Sequence, residues 1–420
     1  MLLRLFLRRA RTVLKRGEAI NSALIRQFNV ARIFHALRDH PDSSQLELSS
    51  YAGVNKATVS AVIAQLDEAG LIHRSVRQSK GRPGRPEVAL SISAQAGLLV
   101  GVRLEPSTIR LIATSLDGQV RGRLQVAGSR DVEGALHQLR EATLRLAATC
   151  GFTVGAVRGI GVGIPGLMDS SGRLVLAPNL GWRDVAILER LREALDAPVF
   201  VDNDTKAAAL AEKLFGKGRK VRDFIYITGH SGVGGGLFLG GRLYRGAGGF
   251  AGEIGHIKVV PGGRPCACGG RGCLEAYASE EAILARLAER GVVLGDIWAV
   301  ARRAEAGDEE VLAILGETGE FLGLVAANLI NVLNPSLVVL GGNLAAVAQA
   351  VLPVVARVIE ADALSAPRAQ ARVIVSPLGA ESVPMGGVAL ALEGFLALPG
   401  LLTDARLAAT EPRDADPRTP

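Results

Sequence analysis

The run GEIGHIKVVPGGRPCACGGRGCLEAYAS, residues 252–279, carries one His and three Cys at spacing H-x9-C-x-C-x4-C. No other segment constrains the fold as strongly, because four soft or borderline ligands in one short loop can converge on a single ion. His256, Cys266, Cys268 and Cys273 are the ligand set of a structural Cys3His zinc site, with no position left open for a catalytic water. Gly269, Gly270 and Gly272 let the backbone turn tightly between the thiols. The chain holds only 4 Cys. An odd group of three, without a secretory context, argues against a disulfide framework. Cys150 ends an apolar helical run and reads as a buried core thiol.

A length of 420 residues predicts two or three domains and a sizeable core. Aromatic content of 4% argues against an aromatic RNA-stacking platform. No apolar run reads as long enough to span a bilayer. The first 20 residues begin MLLRLFLRRARTVLKR, where charges interrupt the apolar positions and no small-residue cleavage site follows. They read as a basic extension rather than a signal peptide, so a cytoplasmic setting is expected. Residues 403–420 read as a disordered tail.

Charge is unevenly spread. Residues 1–97 hold 15 Lys and Arg against 7 Asp and Glu, whereas the remainder holds 33 against 34. A basic module on a near-neutral body suggests a polyanionic partner. Within residues 21–96, NSALIRQFNVARIFHALRD has apolar residues at helical spacing behind a candidate cap, Asn21. A short helix is predicted at Ser44–Ala52, ending at Gly53, and a third from Asn55 to Gly70. The third buries Val59, Val62, Ile63 and Leu66 and offers Lys56, Thr58, Ser60 and Gln65 on its other face. Two strands, LIHRSVRQ and VALSIS, flank the loop SKGRPGRP. This is the pattern of a winged helix-turn-helix. Asn55, Lys56, Thr58 and Ser60 would meet the major groove of double-stranded DNA. Arg82 and Arg85, stiffened by prolines, would enter a narrow A·T minor groove. The alternative is a protein-docking module with a basic loop.

From residue 97 to 402 the pattern becomes strands separated by glycine turns and helices. GLLVGVRL, TIRLIATSL and GQVRGRLQV read as successive strands, followed by a helix at 131–149 and the strand RGIGVGIPG. A second strand-rich start, DFIYITG and GVGGGLFLGGRLY, lies near residue 222. The fold class is therefore α/β, a duplicated fold in two lobes at about 97–220 and 221–402, with a cleft between them. Asn203, Asp204, Glu253, His256 and Glu275 fall at strand ends and turns. Carboxylates and amides converging on a cleft suit vicinal hydroxyls, as in a sugar. One Asp there could also act as a general base toward a phosphate.

GEIGH, CACGGRGCLE, VDND, GIPG and NPSLVVLGG together resemble the ROK family, a group of bacterial sugar-responsive repressors and sugar kinases, across about residues 20–395. The resemblance implies an actin-like ATPase fold, a dimer or higher oligomer such as a tetramer, and structural zinc on His256 and the three cysteines. It implies that Asn203, Asp204, Glu253, His256 and Glu275 contact sugar hydroxyls, with Gly166 and Asn179 lining the same cleft. Asp204 would be the base of a kinase. One departure matters. Kinases of this family open the domain with Asp-x-Gly-x-Thr, which holds Mg-ATP phosphates, whereas this chain has GVRLEPSTIRL. Arg103 stands for the Asp and Glu105 for the Gly. Arg cannot ligate magnesium, and Glu adds negative charge beside triphosphate. His230 also replaces a glycine of the second loop. The expected function is a sugar-responsive transcriptional regulator, a repressor of carbohydrate uptake or metabolism genes, with no catalytic residue. Its effector would be a sugar or sugar phosphate. The alternatives are an ATP-dependent sugar kinase retaining a DNA-binding arm, and an interaction scaffold.

Overall fold

The computed structural model describes residues 22–77 and 87–398. Three helices open it: α1 (Ser22–Asp39), α2 (Gln45–Ala52) and α3 (Lys56–Glu68). Local chemistry sets their ends. Ser44 and Glu47 form a reciprocal capping box on α2, and Gly53 closes that helix in the left-handed region at φ 59°. Asn55 caps α3 by accepting the Thr58 N–H. Strands β1 (Ile72–Arg77) and β2 (Glu87–Ile92) pair antiparallel, completing the winged helix-turn-helix topology. Asn21, Arg82, Arg85 and the two termini lie outside the described residues.

The remaining chain builds one topology twice. In the first half, β3 (Leu98–Leu104), β4 (Thr108–Ser115) and β5 (Val120–Ala127) form an antiparallel meander. Helix α4 (Val132–Thr149) then crosses to β6 (Val157–Ile164), parallel to β3. A small sheet of β7 (Leu167–Met168), β8 (Leu174–Ala177) and β9 (Trp182–Val185) follows. Helix α5 (Ile187–Ala194) leads to β10 (Val199–Asn203), parallel to β6, and then to α6 (Asp204–Leu214). The second half repeats this with the meander β11 (Phe224–Gly229), β12 (Val233–Leu239) and β13 (Arg242–Leu243). After α7 (Glu275–Ala278), α8 (Glu280–Glu289), α9 (Ile297–Glu305) and α10 (Glu309–Leu333), β14 (Leu337–Gly342) pairs parallel to β11. Then α11 (Ala348–Asp362), α12 (Ser365–Arg368), β15 (Arg372–Val375) and α13 (Ser382–Leu396) complete the chain, with β15 parallel to β14. Sheet orders β10-β6-β3-β4-β5 and β13-β12-β11-β14-β15 are therefore equivalent, which is the duplication expected of the actin-like fold. The small sheet was not anticipated.

Helices α6 and α13 pack against each other, and α13 also covers β3 and β6. Their small residues allow this closeness: a Cβ on Gly161 of β6 would stand 1.9 Å from the Gly387 carbonyl of α13. Val59, Val62, Ile63 and Leu66 are buried as expected, and their core is continuous with α6 and α13. Ile25 instead faces solvent, and Cys150 is only partly buried, where it caps the C-terminus of α4. Both correct the sequence expectation: a helical stripe predicts a face but not its edges. The expectation that no run is long enough to span a bilayer is also corrected. Glu309–Leu333 and Asn343–Asp362 are long and apolar enough by length and composition. Here α10 and α11 pack on each other and contribute residues such as Leu322, Val325, Val351 and Val355 to a core against the second sheet.

Candidate functional site

The Cys-rich loop is stapled by local pairing before any ion is considered. Lys258 bridges Cys273, Pro265 bridges Arg271, and the Cys266 N–H donates to the Gly270 carbonyl at 2.9 Å. Gly272 has φ +74°, and a Cβ there would stand 1.7 Å from the Val260 carbonyl, so only glycine fits. The result brings one ligand atom each of His256, Cys266, Cys268 and Cys273 within 4.8 Å of one another. Cys268 Sγ lies 3.7 Å from Cys273 Sγ, and Cys266 Sγ lies 3.7 Å from His256 Nδ1. A tetrahedron with metal–sulfur bonds of about 2.3 Å has edges of about 3.8 Å, so this group can hold a metal ion. Lys258 Nζ donates to Cys273 Sγ at 2.9 Å. A backbone hydrogen bond from Gly270 draws the Cys268 thiol below its ordinary value.

Glu275 ties the loop to β12. One carboxylate oxygen accepts the Val233 N–H at 3.1 Å, and the other lies 3.3 Å from Cys266 Sγ. In the first half, Asn203 ends β10 and caps α6. Its Oδ1 accepts the Lys206 N–H at 3.1 Å, and its Nδ2 donates to the Gly166 carbonyl at 3.1 Å. Asp204 opens α6 and accepts the Thr205 N–H at 2.8 Å. Burial pushes the Asp204 carboxyl up, with Arg103 opposing. Burial likewise pushes Glu253 up, with Lys206 and His256 opposing and Asp204 and Glu275 adding to the rise. These residues thus share one field. Asn179 bridges the halves, its Nδ2 donating to Ser231 Oγ at 3.0 Å.

Of the seven expected sugar-facing residues, Asn203 bonds to Gly166, Glu253 shares a field with Asp204, His256 and Glu275, and Asn179 meets Ser231. Their mixture of carboxylates and amides can hydrogen-bond vicinal hydroxyls. Three residues escaped sequence reading. Lys206 is buried, its Nζ donates to the Gly249 carbonyl at 2.7 Å, and burial pulls its ammonium down. Buried Asp202 pairs with Arg245. A Lys within the alanine-rich helix TKAAALAEKL was the available signal for the first; the second pair is joined only in space.

Arg103 acts electrostatically on both Asp204 and His230. Arg103 is buried near the end of β3 and pairs with Glu105 at 2.8 Å. Arg110 lies opposite it on β4. His230 is also buried, and burial together with Arg103 and Arg110 holds its imidazole well below its ordinary value, so it is neutral at pH 7. A guanidinium therefore occupies the position at which the resemblance places a magnesium-binding carboxylate. On the helix-turn-helix, Lys56 and Ser60 are exposed and Thr58 is half-buried. The Asn55 oxygen is committed to the cap of α3.

Comparison with known proteins agrees with both halves of this description. The ROK family model matches residues 99–394, and the MarR family model matches residues 27–83. The xylose repressor of Caldicellulosiruptor bescii is 31% identical over 396 residues, covering 90% of this chain and 99% of that protein. The glucokinase of Halalkalibacterium halodurans is 34% identical over 307 residues, covering 69% of this chain and 93% of that protein. A crystal structure of a ROK family transcriptional regulator, a homologue of the E. coli Mlc protein, superposes with TM-score 0.78 at 27% identity. It covers 91% of this chain and 99% of that one.

Proposed function

The chain belongs to the ROK family, and we propose that within it the protein is a sugar-responsive transcriptional regulator, a repressor of carbohydrate uptake or metabolism genes. One observation carries the reading. Helix α6 starts at Asn203 and Asp204, two of the candidate sugar residues, and ends at Phe215 against the DNA-binding module. At that end Arg38 of α1 lies over the Phe215 ring, 5.5 Å from its centroid, and Arg219 pairs with Asp39 of α1 at 2.9 Å. A ligand that shifts α6 would therefore also shift α1. Sugar alters DNA affinity only to the extent that it favours one docking arrangement over the other.

The module would bind an inverted repeat as a homodimer or tetramer in the cytoplasm, with no membrane partner. Lys56, Thr58 and Ser60 would read the major groove, and Arg82 and Arg85 an A·T-rich flank. Zinc on His256, Cys266, Cys268 and Cys273 would act structurally, ordering the loop that presents Glu253 and Glu275; the 3.7 Å ligand spacings support it. The Arg103–Glu105 pair supports a cleft that binds sugar or sugar phosphate without phosphoryl transfer.

In-vitro selection of duplexes, followed by anisotropy titration with and without sugars, tests the reading. Altering Thr58 or Ser60 is expected to relax specificity, and Asp204→Ala to abolish the sugar response while sugar-free DNA binding persists. Recovery of no enriched motif at low salt would remove the regulator reading and leave the scaffold.

A further inference from the structure

A cavity of about 560 Å³ lies between α1, α2 and the C-terminal end of α6, away from the sugar cleft. Among the described residues its cations are Arg32, Arg38, Lys213 and Arg219, and its only carboxylate is Asp39. That carboxylate is shared: Arg38 donates to Asp39 Oδ1 at 2.9 Å through Nη2 and 3.1 Å through Nε, and Arg219 Nη2 lies 2.9 Å from the same oxygen. Lys213 is spent on the carbonyls of Gly218, Arg219 and Val221. Arg32 has one long contact to the Gly53 carbonyl, at 3.4 Å, and lies over Phe28. The side chain of Arg38 is 6% exposed, yet its Nη1 finds no hydrogen-bond acceptor among the described residues. That nitrogen is sealed from solvent, so Arg38 meets the cavity as a buried positive charge and Arg219 as the accessible donor. His40 and Tyr51 stack at 3.9 Å on the wall and offer a flat surface beside the cations.

We propose that this cavity binds a phosphate monoester, a small phosphorylated metabolite whose phosphate is held by the accessible Arg219 beside the buried charge of Arg38. The guanidinium fork matches phosphate oxygens in pairs. The volume falls within the range of about 300–1,000 Å³ usual for small-molecule sites. Asp39 neutralises only one of the two guanidinium groups, so a dianion completes the charge. The ligand would sit on the contact between α1 and the end of α6 and would hold the DNA-binding module in its docked arrangement. The proposal does not depend on what occupies the sugar cleft.

The test is calorimetric titration of the full chain at constant ionic strength with inorganic phosphate, glucose 6-phosphate, AMP and neutral glucose. Wild-type protein and an Asp204→Ala variant should bind at least one phosphate monoester equally. Arg219→Gln should weaken that binding by about tenfold or more, the loss of one charge-assisted contact. Arg38→Gln should do the same; should it fail to fold, Arg219→Gln, at a half-exposed guanidinium, still decides. Preference for glucose 6-phosphate identifies a sugar phosphate, and preference for AMP a nucleotide; either supports the site. No heat with any phosphate, or binding unchanged by Arg219→Gln, overturns it. Binding lost in Asp204→Ala assigns the ligand to the cleft and also overturns it. So does a reduced salt slope of DNA binding in Arg219→Gln with no small phosphate bound, which would give these cations to the DNA backbone.

Discussion

His35 Nε2 on α1 lies 3.1 Å from Glu393 Oε1 on α13, and both side chains are largely buried. The pair joins the first helix of the DNA-binding module to the last helix of the large domain. Because α13 also packs along α6, this contact and the Arg219–Asp39 pair clamp α1 from two elements. His35→Ala would remove the ring that faces the buried Glu393 carboxylate and should destabilise the chain, read from urea denaturation. The same variant should retain sugar binding while its DNA affinity responds less to sugar. A full response would place the coupling elsewhere.

Asp204 makes stability depend on pH with a definite sign. Burial raises its carboxyl above the ordinary carboxylate value, so the folded state holds the proton to higher pH than the unfolded chain does. The stability linked to this group is complete below the unfolded value of about 4 and is lost as pH rises through the raised folded value. Asp204→Asn removes that loss. Its melting temperature relative to wild type should therefore improve between acid and neutral pH. A difference that stays constant with pH would refute the assignment.

One zinc ion is expected per chain. Metal analysis should give close to one equivalent for the wild type and much less for Cys268→Ser, whose loop should become protease-sensitive around Glu253. Content below about a tenth of an equivalent, with all thiols reactive, would defeat the prediction, because structural sites of this kind are tight.

No useful sugar phosphorylation is expected while Arg103 pairs with Glu105. A coupled assay over hexoses, pentoses and amino sugars checks this. Turnover in the range of about 1–100 per second would favour the kinase.

Much of this molecule follows from local sequence. The caps at Ser44, Asn55 and Asn203 and the strand–turn rhythm near residues 98 and 222 depend on neighbours a few positions away. The same is true of the H-x9-C-x-C-x4-C spacing, and the four ligands do converge. The family motifs placed Asn203, Asp204, Glu253 and Glu275 in one cleft by resemblance. The strands Leu167–Met168, Leu174–Ala177 and Trp182–Val185 were not legible, because two to four residues are too few to display an alternation. Packing alone decided the rest. Arg38 and Arg219 share Asp39, His35 meets Glu393, and Asn179 reaches Ser231 only because α6, α13 and the two sheets bring distant segments together. Periodicity shows which face of a helix is buried. It carries no information about which charged side chain arrives from the other side, as Glu393 does at His35 and Arg219 at Asp39.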